Sequence, residues 1–336
     1  MNNRITIPED PMSRFRDLYA ALEKDRRWWR DTRRLRYAAM AAVGCEGTPV
    51  NVAQGIRRME KALKEASPWH LNIGAHMRFI VAALLYQNRD SGRGFMNELR
   101  RVRKLFRGER LPRTLVFELI AVLILRIQAG GATVSQSTVR RLRDIYQEMK
   151  RHHRFLTGAD DLPACAILTG QEGTATKLVD RTEAIYGELR AQGFQKGNPL
   201  QTTANVLSLA PGLPHELAGR ATSLKQRFKS KGVRINQRDY DELAILSFLS
   251  QPTSRVVDRV LAQRAQLKQI RPKIDRATTF DLAAGITFLE LAGRQVHARM
   301  LSGTKAMIDM QAIVAAQQAV LVCAAGAAVA ASASSG

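Results

Sequence analysis

Apolar residues recur along the chain at an offset of 39 positions between residues 135 and 290. One set of equivalent positions holds Val139, Leu178, Leu217 and Val256. Two further sets hold Cys165, Ala204, Leu243 and Leu282, and Ile167, Val206, Ile245 and Ala284. Upstream, the apolar stretch 80–85 lies 39 residues before the similar stretch 119–124. A period near 40 predicts an internal repeat, read as about six units.

Each unit has the pattern of a helix, a turn and a second helix. The first helix is amphipathic, because Leu178, Thr182, Ile185 and Leu189 fall on one face at helical spacing. The second is shorter and almost entirely apolar, as in 204–209 and 243–249, which predicts that it is the buried one.

Turn residues separate the two predicted helices of a unit. Gly158, Gly193 and Gly232 stand where the first helix should end, and glycine takes the left-handed conformation of a helix end without steric cost. Asn198 with Pro199, and Asn236, are typical of the start of the second helix.

The spacing therefore predicts an all-α fold, with no sheet. We expect an α-α superhelix or solenoid-like array of about six helical hairpins of roughly 39 residues each. A globular helical bundle grown by duplication is the competing architecture. The predicted domains are N-terminal capping helices over 1–50, with helices near 12–28 and 30–44, hairpin repeats over 51–294, and an Ala-rich C-terminal helix with a frayed tail over 295–336.

Charge narrows the class of partner. The chain has 39 Arg and 13 Lys, and its net charge is +22. Such a charge attracts nucleic acid, anionic lipid or acidic proteins. Acidic residues are interspersed with the basic ones along most of the chain, which is typical of solvated helix faces.

The remaining composition predicts a cytoplasmic protein. The N-terminus has no apolar signal-peptide core, and the three cysteines match no disulfide or metal pattern, so we expect them to be buried and reduced. The segment 312–331 is long enough to span a membrane, but it is mostly alanine with two glutamines inside. We expect it to pack on the body of the protein, with membrane insertion as the alternative.

The most basic segment, 93–113, holds eight Lys or Arg residues against two Glu. On a helix, such residues can follow a phosphate backbone, or they can form a solvated face. The candidate polyanion-binding residues are Arg100, Arg101, Arg103, Lys104 and Arg107. A second basic cluster contains Trp28 and Trp29, which could stack on bases or anchor the N-terminal helix.

One cluster has the residue types of a metal or acid–base site: His152, His153, Asp160 and Asp161. Neighbouring basic side chains would repel a cation, and the aspartates precede a helix, where carboxylates cap the backbone. Capping is therefore the competing interpretation. The chain has no nucleophile elbow, phosphate loop, dinucleotide fingerprint or His-Glu-x-x-His motif. We therefore predict no catalytic residues, no metal site and no cofactor.

Two segments carry a resemblance to a known family. The sequence FLTGADDLP at 155–163 and the sequence MQAIVAAQQA at 310–319 resemble an uncharacterised bacterial family, domain of unknown function 4003. The resemblance implies a cytoplasmic bacterial protein, and the family has no established activity from which catalytic residues could be transferred.

Three functional hypotheses follow. The first is a non-enzymatic helical-repeat scaffold whose partner is a protein or peptide. The second is a basic helical-repeat protein that binds nucleic acid or another polyanion. The third is an enzyme of unrecognised class that uses the histidine and aspartate cluster. A membrane is not an expected partner, and the oligomeric state stays open.

Overall fold

A computed structural model of the chain describes residues 8–24, 32–67, 73–152 and 157–293. All regular structure in these ranges is helical, which confirms the predicted all-α class. The helices are α1 Pro11–Glu23, α2 Arg33–Ala41, α3 Pro49–Ala66, α4 Ala75–Gln87, α5 Gly92–Gly108, α6 Leu115–Gln128, α7 Gln136–His152, α8 Leu162–Thr169, α9 Ala175–Ala191, α10 Asn198–Leu207, α11 Pro214–Ser230, α12 Tyr240–Ser247, α13 Thr253–Leu267 and α14 Arg276–Gly293. Short 3-10 turns at Ala159–Asp161 and Gln237–Asp239 precede α8 and α12.

The chain forms two compact units that divide between Asn97 and Glu98, within α5. In the first unit, α1 packs on α2 and α3, and α4 packs on α2 and α3. Helices α1 and α2 correspond to the predicted N-terminal helices, and both are shorter than expected among the described residues. Residues 25–31 lie outside the described part of the chain, as do 1–7, 68–72, 153–156 and 294–336.

Helices α3 and α4 approach closely at a glycine. A Cβ atom added to Gly55 would lie 2.1 Å from Cε2 of Tyr86. This distance is well inside van der Waals contact, so the tyrosine ring occupies the space that a side chain at position 55 would need.

The second unit contains two series of helices that contact in order along the chain. The amphipathic helices α7, α9, α11 and α13 each contact the next one in this series. The apolar helices α6, α8, α10, α12 and α14 do the same. Each amphipathic helix also packs on the apolar helix that follows it in sequence. The core of the unit therefore lies between the two series.

Burial follows the sequence pattern. All members of the sets beginning with Val139 and with Cys165 are buried. Helices α8, α10 and α12 bury most of their residues, whereas α9 and α11 bury one face. The prediction that the second helix of a unit is the buried one is therefore confirmed for these three helices.

Two of the three predicted glycine helix ends are confirmed. Gly193 and Gly232 have φ angles of 83° and 72°, and the next residue donates its N–H to a carbonyl five positions back. Such bonds close the last turn of a helix. The prediction for Gly158 is wrong, because its φ angle is −128°. Its N–H bonds Oδ2 of Asp161 instead, so it begins the next element.

An arginine on each of three amphipathic helices bonds the end of the following apolar helix. Arg181 donates from Nε to the Ser208 carbonyl at 2.9 Å and from one terminal nitrogen to the Ala210 carbonyl at 2.7 Å. Arg141 bonds the carbonyls of residues 169 and 171 in the same way, and Arg220 bonds those of 247, 249 and 251. These three, the clamp arginines, place positive charge where carbonyl groups leave a helix without partners.

The equivalent residue on α13 has a different acceptor. Arg259 forms a two-pronged ion pair with Glu290, whose carboxylate is buried and also accepts from Gln263 at 2.7 Å. Helix α14 has 18 residues, against eight in α12. Its backbone therefore continues past the level at which α12 ends. The Glu290 side chain, in place of main-chain carbonyls at a helix end, accepts the hydrogen bonds of Arg259.

The described residues include no helix that is both long and apolar enough to cross a membrane. The Ala-rich segment, the closing segment of the family resemblance and Cys323 lie outside these residues. Of the other cysteines, Cys165 is buried as predicted and Cys45 is partly exposed. The predicted domain limits at residues 50 and 294 stay predictions.

Candidate functional site

A cavity of about 290 Å³ lies in the second unit, where the segment after α11 meets α13 and the start of α14. Its walls come from residues 233–236, from the 3-10 turn before α12, from Arg264 on α13, and from Asp275 with the first two turns of α14. The charged residues that line it are Arg234, Arg238, Arg264, Arg276, Asp239 and Asp275. Four arginines and two aspartates are therefore among the residues that line it.

Both carboxylates already have close hydrogen-bond donors. Oδ2 of Asp239 accepts the N–H of Asn236 at 2.8 Å. Asp275 caps α14, where its side chain accepts the N–H groups of Ala277 and Thr278 at 3.0 Å and the Thr278 hydroxyl at 2.8 Å. These bonds lower the pKa of Asp275 although burial opposes them, whereas burial raises the pKa of Asp239.

Two of the arginines contact other residues of the cavity lining at longer distances. Arg276 donates to the Arg234 carbonyl at 3.4 Å, and Arg238 lies 3.7 Å from Asp239 and 3.9 Å from Asp275. Nε of Arg264 is buried and has no hydrogen-bond partner. Burial lowers the pKa of Arg264, and the nearby charge of Arg276 lowers it further. The lining therefore carries four positive and two negative formal charges.

Helix α5 carries the predicted polyanion-binding residues, and the structure separates them by partner. Arg101 forms a two-pronged ion pair with Glu98 and also bonds the Val134 carbonyl. Arg103 pairs with the buried carboxylate of Glu118 at 2.6 Å. Burial would raise the pKa of Glu98, but hydrogen bonds from Arg101 and from the Val134 N–H lower it. Arg101 and Arg103 therefore hold helices and a loop of the second unit together.

The other three candidates on α5 face solvent. Arg100, Lys104 and Arg107 are exposed, and Val102 and Phe106 are fully buried on the opposite side. Lys104 and Arg107 make no ion pair within the described residues. The exposed charge of α5 is therefore smaller than its sequence suggests.

The predicted histidine and aspartate cluster does not converge on one point in the part that is described. His152 lies 3.7 Å from Asp180, while Asp160 accepts from Asn198 at 2.8 Å. Asp161 is buried, which raises its pKa to about 7, and the charge of Asp160 adds to this although the Gly158 N–H bond opposes it. His153 lies outside the described residues, as do Trp28 and Trp29. No group of three potential metal ligands occurs among the described residues.

Comparison with known proteins assigns this chain to a family. The model of a family described as a protein of unknown function (DUF4003) matches residues 18–319. The chain belongs to the DUF4003 family. It is 24% identical over 253 residues to an uncharacterized protein, YeaA, of Bacillus subtilis (strain 168), a match that covers 74% of this chain and 73% of that one. No solved structure matches the chain.

The arginine cavity of this DUF4003 protein was not predicted from the sequence. Its four arginines come from a loop, a 3-10 turn and two helices, and they span positions 234–276, so no local cluster marks them. The clamp arginines did leave a signal. Arg141, Arg181 and Arg220 follow one another at offsets of 40 and 39, but a search restricted to apolar positions overlooks them.

Proposed function

We propose that this DUF4003 protein is a cytoplasmic, non-enzymatic scaffold built as an array of about six helical hairpins, and that it binds a protein partner. The order in which the helices of the second unit contact one another supports the proposal. Each amphipathic helix packs on the next amphipathic helix, and each apolar helix on the next apolar one, from α6 to α14. Units that bury their apolar faces against the next copy leave an extended solvent-facing surface, which repeat proteins use for binding.

The first experiment tests the array itself. Stability in a repeat array is a sum of local and nearest-neighbour contributions, so damage at one end stays local. Val257 on α13 is fully buried, and a Val257→Asp substitution should unfold α13 and α14. Native-state hydrogen exchange should then show lost protection in those helices, with α7 and α8 still protected. Uniform loss of protection from α6 to α14 would contradict the array.

The second experiment tests the scaffold. Tagged protein is incubated with nuclease-treated lysate at about 0.15 M salt, where surface charges are screened beyond about 8 Å. A captured protein is purified and its binding is measured directly, with an expected Kd below about 10 µM. If capture disappears after nuclease treatment, or no captured protein rebinds after purification, the scaffold proposal fails.

The second candidate function is polyanion binding through α5. The exposed side chains of Arg100, Lys104 and Arg107 favour it. Each neutralised phosphate contributes about −0.9 to the slope of log K against log salt concentration, so three contacts predict a slope near −2.7. The double variant Lys104→Glu with Arg107→Glu should remove most of that slope.

A matched variant controls for the change in net charge. Lys177 and Arg190 on α9 are also exposed, and reversing both changes the total charge by the same amount. Equal loss of DNA or heparin binding in both variants would indicate attraction to the overall charge rather than a site on α5.

A further inference from the structure

We propose that the basic rim of the second unit binds the phosphate backbone of double-stranded nucleic acid. The basic rim consists of three chain segments, 192–197, 231–239 and 268–276, each of which runs from the end of an amphipathic helix to the start of the apolar helix that follows it. The proposal does not depend on the scaffold function, because it rests on the charge, exposure and contacts of these segments.

The three segments lie side by side. Nε2 of Gln237 donates to the Lys196 carbonyl at 3.4 Å, which joins the first segment to the second. A terminal nitrogen of Arg276 donates to the Arg234 carbonyl at 3.4 Å, which joins the second segment to the third. Helices α9, α11 and α13 pack in this order, and packed helices lie about 8–10 Å apart, so the rim extends over roughly 20 Å.

The two ends of the hairpins differ in charge. The rim segments contain eight Lys or Arg residues and two Asp. The chain reverses direction within each unit, so the segments that lead from an apolar helix to the next amphipathic helix lie at the opposite end. These segments, 170–174, 208–213 and 248–252, contain one Glu and neither Lys nor Arg. Positive charge is therefore concentrated at one end of the hairpins.

Six basic residues of the rim carry the proposal. Lys231 is set apart from them because it pairs with Asp258 at 2.9 Å. Arg238 is set apart because it lies near both Asp239 and Asp275. The remaining basic residues are all exposed: Lys196, Arg234, Lys268, Arg271, Lys273 and Arg276. Lys and Arg side chains are the usual partners of phosphate oxygens, and they bind them whatever the base sequence.

Stabilisation of helix ends does not account for three of these positions. A cation at the C-terminal end of a helix is favourable only within about the last turn. Arg234 lies four residues beyond the end of α11, and Lys273 lies six residues beyond the end of α13. Arg276 is the first residue of α14, where the helix dipole disfavours positive charge. The rim therefore carries charge that the stability of its helices does not require.

The side chains of the rim favour double-stranded nucleic acid over other anionic surfaces. Proteins that bind single strands without sequence preference stack exposed aromatic side chains on the bases, whereas Phe194 in the rim and Tyr240 beside it are buried. Binding to a membrane surface inserts large apolar side chains, whereas each Val, Ile and Phe of the rim is buried or half-buried. A duplex advances 3.4 Å per base pair, so a surface of roughly 20 Å spans about six base pairs.

Fluorescence anisotropy tests the proposal, with the full chain and a labelled DNA duplex of about 20 base pairs. We expect a Kd below about 100 µM at 0.15 M salt, and six phosphate contacts predict a slope of log K against log salt concentration near −5. The comparison probes are the separated single strand, polyglutamate of equal charge and vesicles that contain phosphatidylserine. Tighter binding of any of these probes than of the duplex overturns the proposal, as does a slope near zero.

A charge-reversal variant locates the site. Arg234→Glu with Lys273→Glu should weaken duplex binding by a factor of about ten or more, because attraction becomes repulsion at two positions of the rim. Lys177→Glu with Arg255→Glu is the matched control, because both residues are exposed in the first turn of an amphipathic helix and the change in net charge is the same. The control should stay within about threefold of the parent. Equal loss in the two variants overturns the proposal.

Two further variants separate the rim from the fold and from α5. Arg234→Gln with Lys273→Gln should make the salt slope shallower by about 1.8, and it serves if charge reversal prevents folding, which circular dichroism verifies. An unchanged slope in this folded variant overturns the proposal. Lys104→Glu with Arg107→Glu should lose less affinity than the rim variant, and the opposite order places the duplex on α5 and overturns the rim assignment. Capture of a protein partner is a separate measurement, so the scaffold and the rim can fail independently.

Discussion

Arg220 and Arg264 are both on amphipathic helices of the second unit, and burial lowers the pKa of both. Their surroundings differ in one respect. The Arg220 side chain donates to the carbonyls of Ser247, Leu249 and Gln251, whereas Nε of Arg264 has no acceptor. The first arginine is part of the fold, and the second keeps one buried nitrogen without an acceptor.

This difference changes how the net charge of +22 should be understood. A guanidinium that bonds carbonyl groups still contributes a full positive charge to the total. Its donors, however, are already occupied and cannot be transferred to a ligand without weakening the packing of two helices. The number of arginines therefore overstates the capacity of the surface to bind anions.

The largest effect should come from removing a clamp arginine. Arg220→Ala leaves the carbonyls at the end of α12 without their donor, and hydrogen bonds to charged groups contribute roughly 1.5–3 kcal/mol each. We expect the free energy of unfolding to fall by about 2–4 kcal/mol, measured by urea denaturation. Arg255→Ala, on an exposed position of α13, should change it by less than about 0.5 kcal/mol. Equal values for the two variants would remove the distinction between clamp and surface arginines.

The ion pair on α13 is the next largest test. Arg259→Ala leaves the buried carboxylate of Glu290 with the Gln263 side chain as its remaining donor among the described residues. Adding Glu290→Gln removes the charge that needs the partner, so it should recover part of the lost stability. A double-mutant cycle should give a coupling of about 1–3 kcal/mol. Additive effects would mean that the pair contributes nothing beyond its separate residues.

Asp161 is a buried acidic side chain, so it shows the effect of burial on a negative charge. Its pKa is raised to about 7 in the folded protein, above the value near 4 of an unfolded aspartate. The folded state therefore holds a proton that the unfolded state loses, and this contribution to stability decreases as the pH rises from about 4 to 7. Asp161→Asn cannot ionise and can still accept the Gly158 N–H. It should be more stable than the parent at pH 8, by at most about 4 kcal/mol, and the gap should narrow at pH 5. A gap that does not change with pH would contradict a raised pKa.

The smallest effect on stability is expected on α5. Lys104→Gln with Arg107→Gln removes two exposed charges and should change the free energy of unfolding by less than about 0.5 kcal/mol. Arg101→Gln should cost more, because Glu98 loses both of its charged hydrogen bonds. Elution from heparin sharpens the comparison, because the double variant should elute at a lower salt concentration than the parent protein. A larger loss of stability in the double variant than in Arg101→Gln would contradict the assignment of Arg101 to the packing of the fold and of Lys104 and Arg107 to the surface.

Sequence pattern was sufficient for the helical class and for most of the buried positions. Hydrophobic spacing reports which face of a helix is covered, so Val139 and Leu243 could be assigned to the core before the fold was known. Gly193 and Gly232 were identified because a left-handed helix end strongly favours glycine. Gly158 looks the same in sequence, but the carboxylate of Asp161 takes its N–H and sets an extended conformation.

Candidate sites were harder to predict, because a basic residue has many possible acceptors. Arg101 and Arg103 belong to the most basic segment of the chain, yet Arg103 pairs with Glu118 fifteen residues later, on another helix. The cavity arginines are brought together by tertiary packing of separate elements. Local charge density could not distinguish these two situations, since both depend on contacts between residues distant in sequence.

The acceptors of the clamp arginines are main-chain carbonyls, which every amino acid carries. Substitutions in the loops after α8, α10 and α12 therefore leave these contacts chemically intact, whatever side chain is introduced. What the contact does require is chain length, because 27 to 31 residues separate Arg181 and Arg220 from their acceptors. A duplicated unit can drift widely in composition and still interlock with its own second helix, whereas inserting or deleting residues between the two would move the carbonyls out of reach.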